Sequence, residues 1–244
     1  MLKSIVLSAF GAGLLVGVVL TAVQFFTTEP LILRGEAYEQ AGEATAAPAA
    51  TTPAVAATSH EHAPGAAEHH HEEGAWEPAD GFERSAYTLV ANLLMGVAVS
   101  AMLLGVMAVK GDPITASRGL AFGVAGFFAA SLLPSLGLSP ELPGTAAAEI
   151  TSRQIWWLGT ALASAIGLGL ILLSPAWWSR LAGVLLAVLP HVIGAPEPPT
   201  LEAAYPAALG AEFVAASLVA SALLWALAGA ASGWLYGRLA DRRP

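Results

Sequence analysis

Five histidines, His60, His62, His69, His70 and His71, fall within twelve residues, interleaved with or followed by Glu61, Glu68, Glu72 and Glu73. Imidazole and carboxylate together suit borderline divalent metals, with affinity rising towards nickel and copper. Short His-rich tracts are a metal-binding composition. The spacing is not that of a rigid tetrahedral site, so the expected binding is weak, adaptable and pH-dependent, because imidazole ligates only when neutral. The plain alternative is a solvated low-complexity loop that meets metal incidentally. In either case such a loop collects ions and cannot carry them across a barrier.

The sixth histidine, His191, stands apart inside an apolar segment, directly after Pro190. An ionisable group in a membrane segment is a functional candidate; a histidine snorkelling to the interface, or capping carbonyls freed by the proline, is the competing reading. Two acids share its surroundings. Residues 133–143 read LPSLGLSPELP and residues 189–199 read LPHVIGAPEPP, which places Glu141 and Glu197 at matching positions after Pro134 and Pro190. If the two stretches are equivalent halves of a duplicated hairpin, the prolines interrupt helices, and interrupted helices are where free carbonyls and a cavity coexist within a membrane. Neutral His191 with two carboxylates would balance a divalent charge and suits Co²⁺ or Ni²⁺ better than Mg²⁺, which prefers oxygen alone. His191, Glu141 and Glu197 are therefore the expected entry site, with the ends of at least two of them within about 8 Å, close enough to share an ion or a bridging water. Solvated surface acids are the alternative for both glutamates.

Other chemistries lack their residues. There is no cysteine, which removes disulfides and thiolate sites together. No GxxxxGK[ST], GxSxG or HExxH occurs, so no enzyme is expected. A formal charge of −8 argues against a nucleic-acid partner.

The elements that position these groups are membrane helices. Of 244 residues 56% are apolar and only 11% charged, against about 25% charged in a soluble domain. Uncharged apolar runs cover 4–26, 85–109, 119–138, 154–173 and 213–236, with a shorter one at 181–195; about 20 such residues span a bilayer. The first run is longer than a cleaved signal's apolar core and reads as a signal anchor. Lysine and arginine collect on the cytoplasmic side, and this decides the count. Six spans with both ends inside put seven of the ten Lys and Arg in the cytoplasm, whereas five spans put four there. The expected fold is an all-α integral membrane bundle of six transmembrane helices, five being the alternative. Residues 1–26 form the first span, 27–83 a periplasmic acidic and His-rich loop, partly disordered, and 84–244 the remaining bundle with a cytoplasmic tail. Sixteen of the eighteen Asp and Glu then face the periplasm, a negative surface that concentrates cations.

Within the loop, 31–40 has no breaker after Gly35; if helical, it places Glu36, Glu39, Gln40 and Glu43 on one face. The Ala/Thr/Pro-rich stretch 41–59 is expected to be disordered. Gly13 and Gly17, Gly119 and Gly123, and Gly229, Gly233 and Gly237 stand at the spacing that lets membrane helices approach closely. Gln24, Asn92 and Gln154 are expected as interhelical hydrogen-bond partners, and Trp156, Trp157, Trp177, Trp178, Trp234 and Tyr236 as interfacial anchors.

Taken in order, PLILRGEAYE (30–39), the His-rich stretch (60–71), ERSAYTLVAN (83–92), LGLSPELPG (136–144), RQIWWL (153–158), LPHVIGAPEP (189–198) and SGWLYGR (232–238) resemble the CbtA family of predicted cobalt transporter subunits, nearly end to end. The resemblance implies a bacterial inner-membrane protein linked to cobalt supply for cobalamin synthesis. It also implies a small single-span partner with a His-rich terminus, CbtB. No tightly bound cofactor is expected; Co²⁺, with Ni²⁺ as the nearest alternative, would be carried or held by the loop. A membrane scaffold that binds metal and hands it to another transporter is the competing function.

Overall fold

The computed structural model describes residues 2–46 and 78–240; the histidine tract at 60–71 lies outside the described residues. The described residues are helical: α1 Leu2–Phe26, α2 Thr28–Ala46, α3 Phe82–Lys110, α4 Ala116–Ser135, α5 Ile150–Leu173, α6 Trp177–Ile193 and α7 Ala207–Ala240. Five of them, α1, α3, α4, α5 and α7, are long and apolar enough to cross a membrane. Helix α6 has 17 residues, about 26 Å at 1.5 Å per residue, just short of a hydrocarbon core of about 30 Å. Among the described residues the fold is all-helical, and the chain is a multi-pass membrane protein. The stretch expected to be disordered from residue 41 instead begins as helix, because α2 continues to Ala46 on alanines and glutamates, both good helix formers.

Small residues set the helix pairs. Against α1, a Cβ at Gly17 would fall on the backbone of Leu93 in α3, and one at Gly96 on the carbonyl of Gly13. Between α4 and α7, Gly119 meets the carbonyl of Gly229 and Gly123 that of Trp225; between α5 and α6, Gly167 and Gly183 face each other in the same way. Lipid offers apolar surface as good as leucine does, so close backbone approach is what holds such pairs together. Polar contacts add to it. Asn92 Nδ2 donates to Thr21 Oγ1 at 3.0 Å and to Gln24 Oε1 at 2.6 Å, tying α3 to α1. Gln154 is exposed and takes no such part among the described residues. Helices α1, α3, α4 and α7 form the core, around Val16, Leu103, Leu104, Met107, Trp225 and Ala228. The α5–α6 hairpin joins it through α5.

The connections gather at two ends. At one end, Leu31 of α2, Leu142 after α4 and Leu209 of α7 pack together. There the linker 136–149 meets the linker 194–206 in a bridge between Thr145 and Ala203, with the Thr145 and Tyr205 hydroxyls hydrogen-bonded, and Arg84 of α3 pairs with Glu36 of α2 at 2.9 Å. At the other end, the α3–α4 connection at Ile114 and Thr115 packs against Gly237 and Gly233 near the end of α7, while Gly11 of α1 meets Leu235.

Neither proline breaks its helix. Helix α6 runs through Pro190 to Ile193, where Gly194 at φ 93° ends it and returns its N–H to the Pro190 carbonyl. Helix α4 reaches Pro134 through a π-helical turn, Phe128–Leu132, in which the Leu133 N–H bonds the Phe128 carbonyl. A proline in a regular α-helix clashes with the carbonyl four residues earlier; the wider turn just before Pro134 relieves that clash.

Candidate functional site

The π turn borders a cavity of about 370 Å³ between α4, α5 and α7. Such turns within α-helices are frequent at functional sites. Two hydroxyl pairs face each other across the space: Ser131 and Ser135 on α4, and Ser217 and Ser221 on α7. Each pair is spaced by four residues, one helical turn, which puts both hydroxyls on one side of the helix. At the deep end Ser221 Oγ donates to Ser131 Oγ at 2.7 Å, and the indole N–H of Trp225 donates to the same oxygen at 3.2 Å. Trp225 is 7% exposed. Its ring lies where a side chain on Gly126 would be, so that glycine makes room for the indole beneath the cavity. Ser135 Oγ donates to the Leu132 carbonyl at 2.7 Å, a group left free at the helix end because the Leu136 N–H bonds the Leu133 carbonyl.

Charge is confined to the mouth. Arg153, in the first turn of α5, donates from Nη2 to Glu141 Oε2 at 2.5 Å, and both side chains line the cavity with more than a quarter of their surface exposed. Helix α5 is aimed there by Glu149, its N-cap, whose carboxylate accepts from the Thr151 and Ser152 N–H groups at 2.8 and 2.7 Å. These backbone bonds hold the Glu149 carboxyl down at about 2. The depressed value gives the sign of the pH effect: the cap's contribution is complete above the ordinary carboxylate pKa of 4.5 and is lost as pH falls towards about 2. A Glu149→Ala chain in detergent is therefore expected to melt below the wild type at pH 7, with the gap closing towards pH 2. A gap independent of pH would remove the charged cap from the account.

Each of the expected entry residues has its own surroundings. Glu141 is engaged by Arg153. His191 lies edge-on to Trp156 of α5, ring centroids 5.7 Å apart, with its Nε2 buried and without a hydrogen-bond partner among the described residues. Glu197 is exposed in the linker that follows α6. Among the described residues no three His, Asp or Glu side chains gather into a group able to hold a metal. Helix α6 stays helical through Pro190, and His191 stacks edge-on against Trp156 from its last turn. The serine pairs and Trp225 were not picked out from the sequence, although the i, i+4 spacing of hydroxyls within apolar runs was there to read.

Compared with known families, residues 2–237 match a family model described as "Probable cobalt transporter subunit (CbtA)". No curated protein and no solved structure matches the chain.

Proposed function

Because the chain belongs to the CbtA family of probable cobalt transporter subunits, we propose that it takes up divalent cobalt from the periplasmic side of the bacterial inner membrane. The family match over residues 2–237 is the observation that carries this reading. The membrane potential supplies about 2.3 kcal/mol per charge per 100 mV, so two charges entering a negative interior need no nucleotide hydrolysis. In this reading His60, His62, His69, His70 and His71 collect the ion. Glu141 receives it at the mouth of the cavity, while His191 and Glu197 are ligands along the approach, engaged one at a time. A small single-span CbtB-like subunit is the proposed partner.

The proposed topology has six crossings and both termini in the cytoplasm. Two observations support it. The start of α5, the end of α6 and the start of α7 are linked at one end through Gly144, Thr145, Ala203 and Tyr205, which favours α6 as the short return crossing. Lys110, Arg118 and Arg238 belong to the other end, as the positive-inside rule asks of a cytoplasmic face. A reporter fused after Pro244 is expected to be active only in the cytoplasm; activity in the periplasm would leave five crossings.

Transport itself is tested in proteoliposomes holding this chain alone, or this chain with its partner, under an inside-negative potential. Co²⁺ accumulation in either preparation is the expected result. Binding without accumulation in both would replace the transporter by a scaffold that passes metal to another protein.

A further inference from the structure

We propose that the serine-lined cavity is the vestibule for a hydrated divalent cation, and that Arg153 occupies the Glu141 carboxylate until the cation displaces it. This rests on the reading of the transported ion as divalent cobalt, and it adds the place and the lock. Three observations combine. First, the cavity holds about 370 Å³; the six waters of an octahedral ion occupy roughly 180 Å³ at about 30 Å³ each, so the ion fits without shedding its shell. Second, its walls offer hydroxyls and no fixed charge below the mouth. The Ser221 O–H donates to Ser131, which leaves the Ser221 lone pairs to accept from an ion's bound water, and Ser217 has no side-chain bond among the described residues. Hydroxyls of this kind accept from coordinated water without binding the metal so tightly that it cannot leave. Third, the one carboxylate on the cavity is already held by a cation, the Arg153 guanidinium, at 2.5 Å. A carboxylate that pairs with an arginine can pair with a divalent ion in its place. At the deep end Ser221 and Trp225 both donate to Ser131, which ties α4 to α7 beneath the site.

The lock makes the two partners respond in opposite directions. Removing Arg153's charge frees Glu141 for metal; removing Glu141's charge destroys the binding group. A purely structural ion pair would answer both changes alike. The probe is Co²⁺ alone, titrated into the full-length chain in detergent with His60, His62, His69, His70 and His71 changed to alanine, so that the loop does not mask the cavity. In that background Arg153→Gln is expected to tighten Co²⁺ binding roughly fivefold, Arg153→Lys to leave it near the starting value, and Glu141→Gln to weaken it about tenfold or more. Glu141→Gln retains an oxygen that accepts from Arg153, so it keeps the fold. If Arg153→Gln does not fold, Glu141→Asp carries the comparison: binding kept within about threefold supports the vestibule, and loss equal to that of Glu141→Gln overturns it. Equal affinities in all chains, or weaker binding in Arg153→Gln, overturn it as well. Uptake in proteoliposomes without these shifts sinks the lock and leaves the transport reading standing; the shifts without uptake do the reverse.

Discussion

Replacing Gly229 with alanine is expected to destabilise the bundle by roughly 2 kcal/mol or more, although alanine is the better helix former by about 1 kcal/mol. The sign is decided by what the new methyl meets. A Cβ at Gly229 lands on the carbonyl of Gly119, and a Cβ at Gly119 lands on the carbonyl of Gly229. A backbone carbonyl inside a helix cannot swing aside as a leucine tip can, so α4 and α7 have to separate along their whole seam. That seam includes Gly123 against Trp225 and Gly233 against Thr115, and it is the contact that holds the serine pairs of the two helices face to face. Gly229→Leu is expected to leave no folded bundle. Gly159→Ala is the control, because its added methyl meets nothing within 4 Å; it keeps only the helix-propensity gain. Thermal unfolding of the three chains in one detergent, followed by helical circular dichroism, checks the order. Wild-type stability in Gly229→Ala would mean that α4 and α7 are not in backbone contact.

That seam also measures how far the sequence could be read. GxxxG spacing marked Gly119, Gly123, Gly229 and Gly233 as close-approach positions, but in a chain with 25 glycines spacing alone could not say which helix faces which. Membrane class was legible because a bilayer imposes a length and a composition on each crossing. Asn92 and Gln24 were legible as partners because an amide in hydrocarbon has to bond across a helix interface. The proline breaks were misread. A proline removes one hydrogen bond, and the outcome depends on the neighbouring turns: at Pro134 a π turn absorbs the strain, and near the end of α6 the helix was about to stop anyway. The pairing of Glu141 with Arg153 was out of reach, since it depends on how the linker 136–149 folds back onto the first turn of α5. Trp225 was invisible for a related reason: no local pattern separates a buried tryptophan bonded across a helix pair from one anchoring a helix in lipid.

Deleting residues 60–71 is expected to raise the Co²⁺ concentration needed for half-maximal uptake about tenfold, with the maximal rate unchanged. A tethered set of ligands raises the local concentration of what it binds, and five imidazoles among carboxylates form such a set for a borderline metal. The tether length sets where that concentration is raised. The tract follows α2 and precedes α3, and these helices are joined by the pairing of Glu36 with Arg84. Helix α2 also touches the linker that carries Glu141, through Gly35 against Leu142. The two helix ends to which the tract is tethered thus belong to the end of the bundle that carries Glu141 and Arg153. At saturating metal the mouth is filled from bulk solution and the tract adds nothing, so the maximal rate belongs to the helices alone. The dependence on pH separates the two contributions further. Imidazole loses metal as it protonates, with an ordinary pKa of about 6.5, so lowering the pH from 7.5 to 5.5 should raise the half-saturating concentration in the wild type and change it far less in the deleted chain. Uptake against Co²⁺ concentration, measured for both chains at both pH values, checks the whole pattern. Loss of uptake at saturating metal on deletion would put the histidines in the path across the membrane rather than ahead of it.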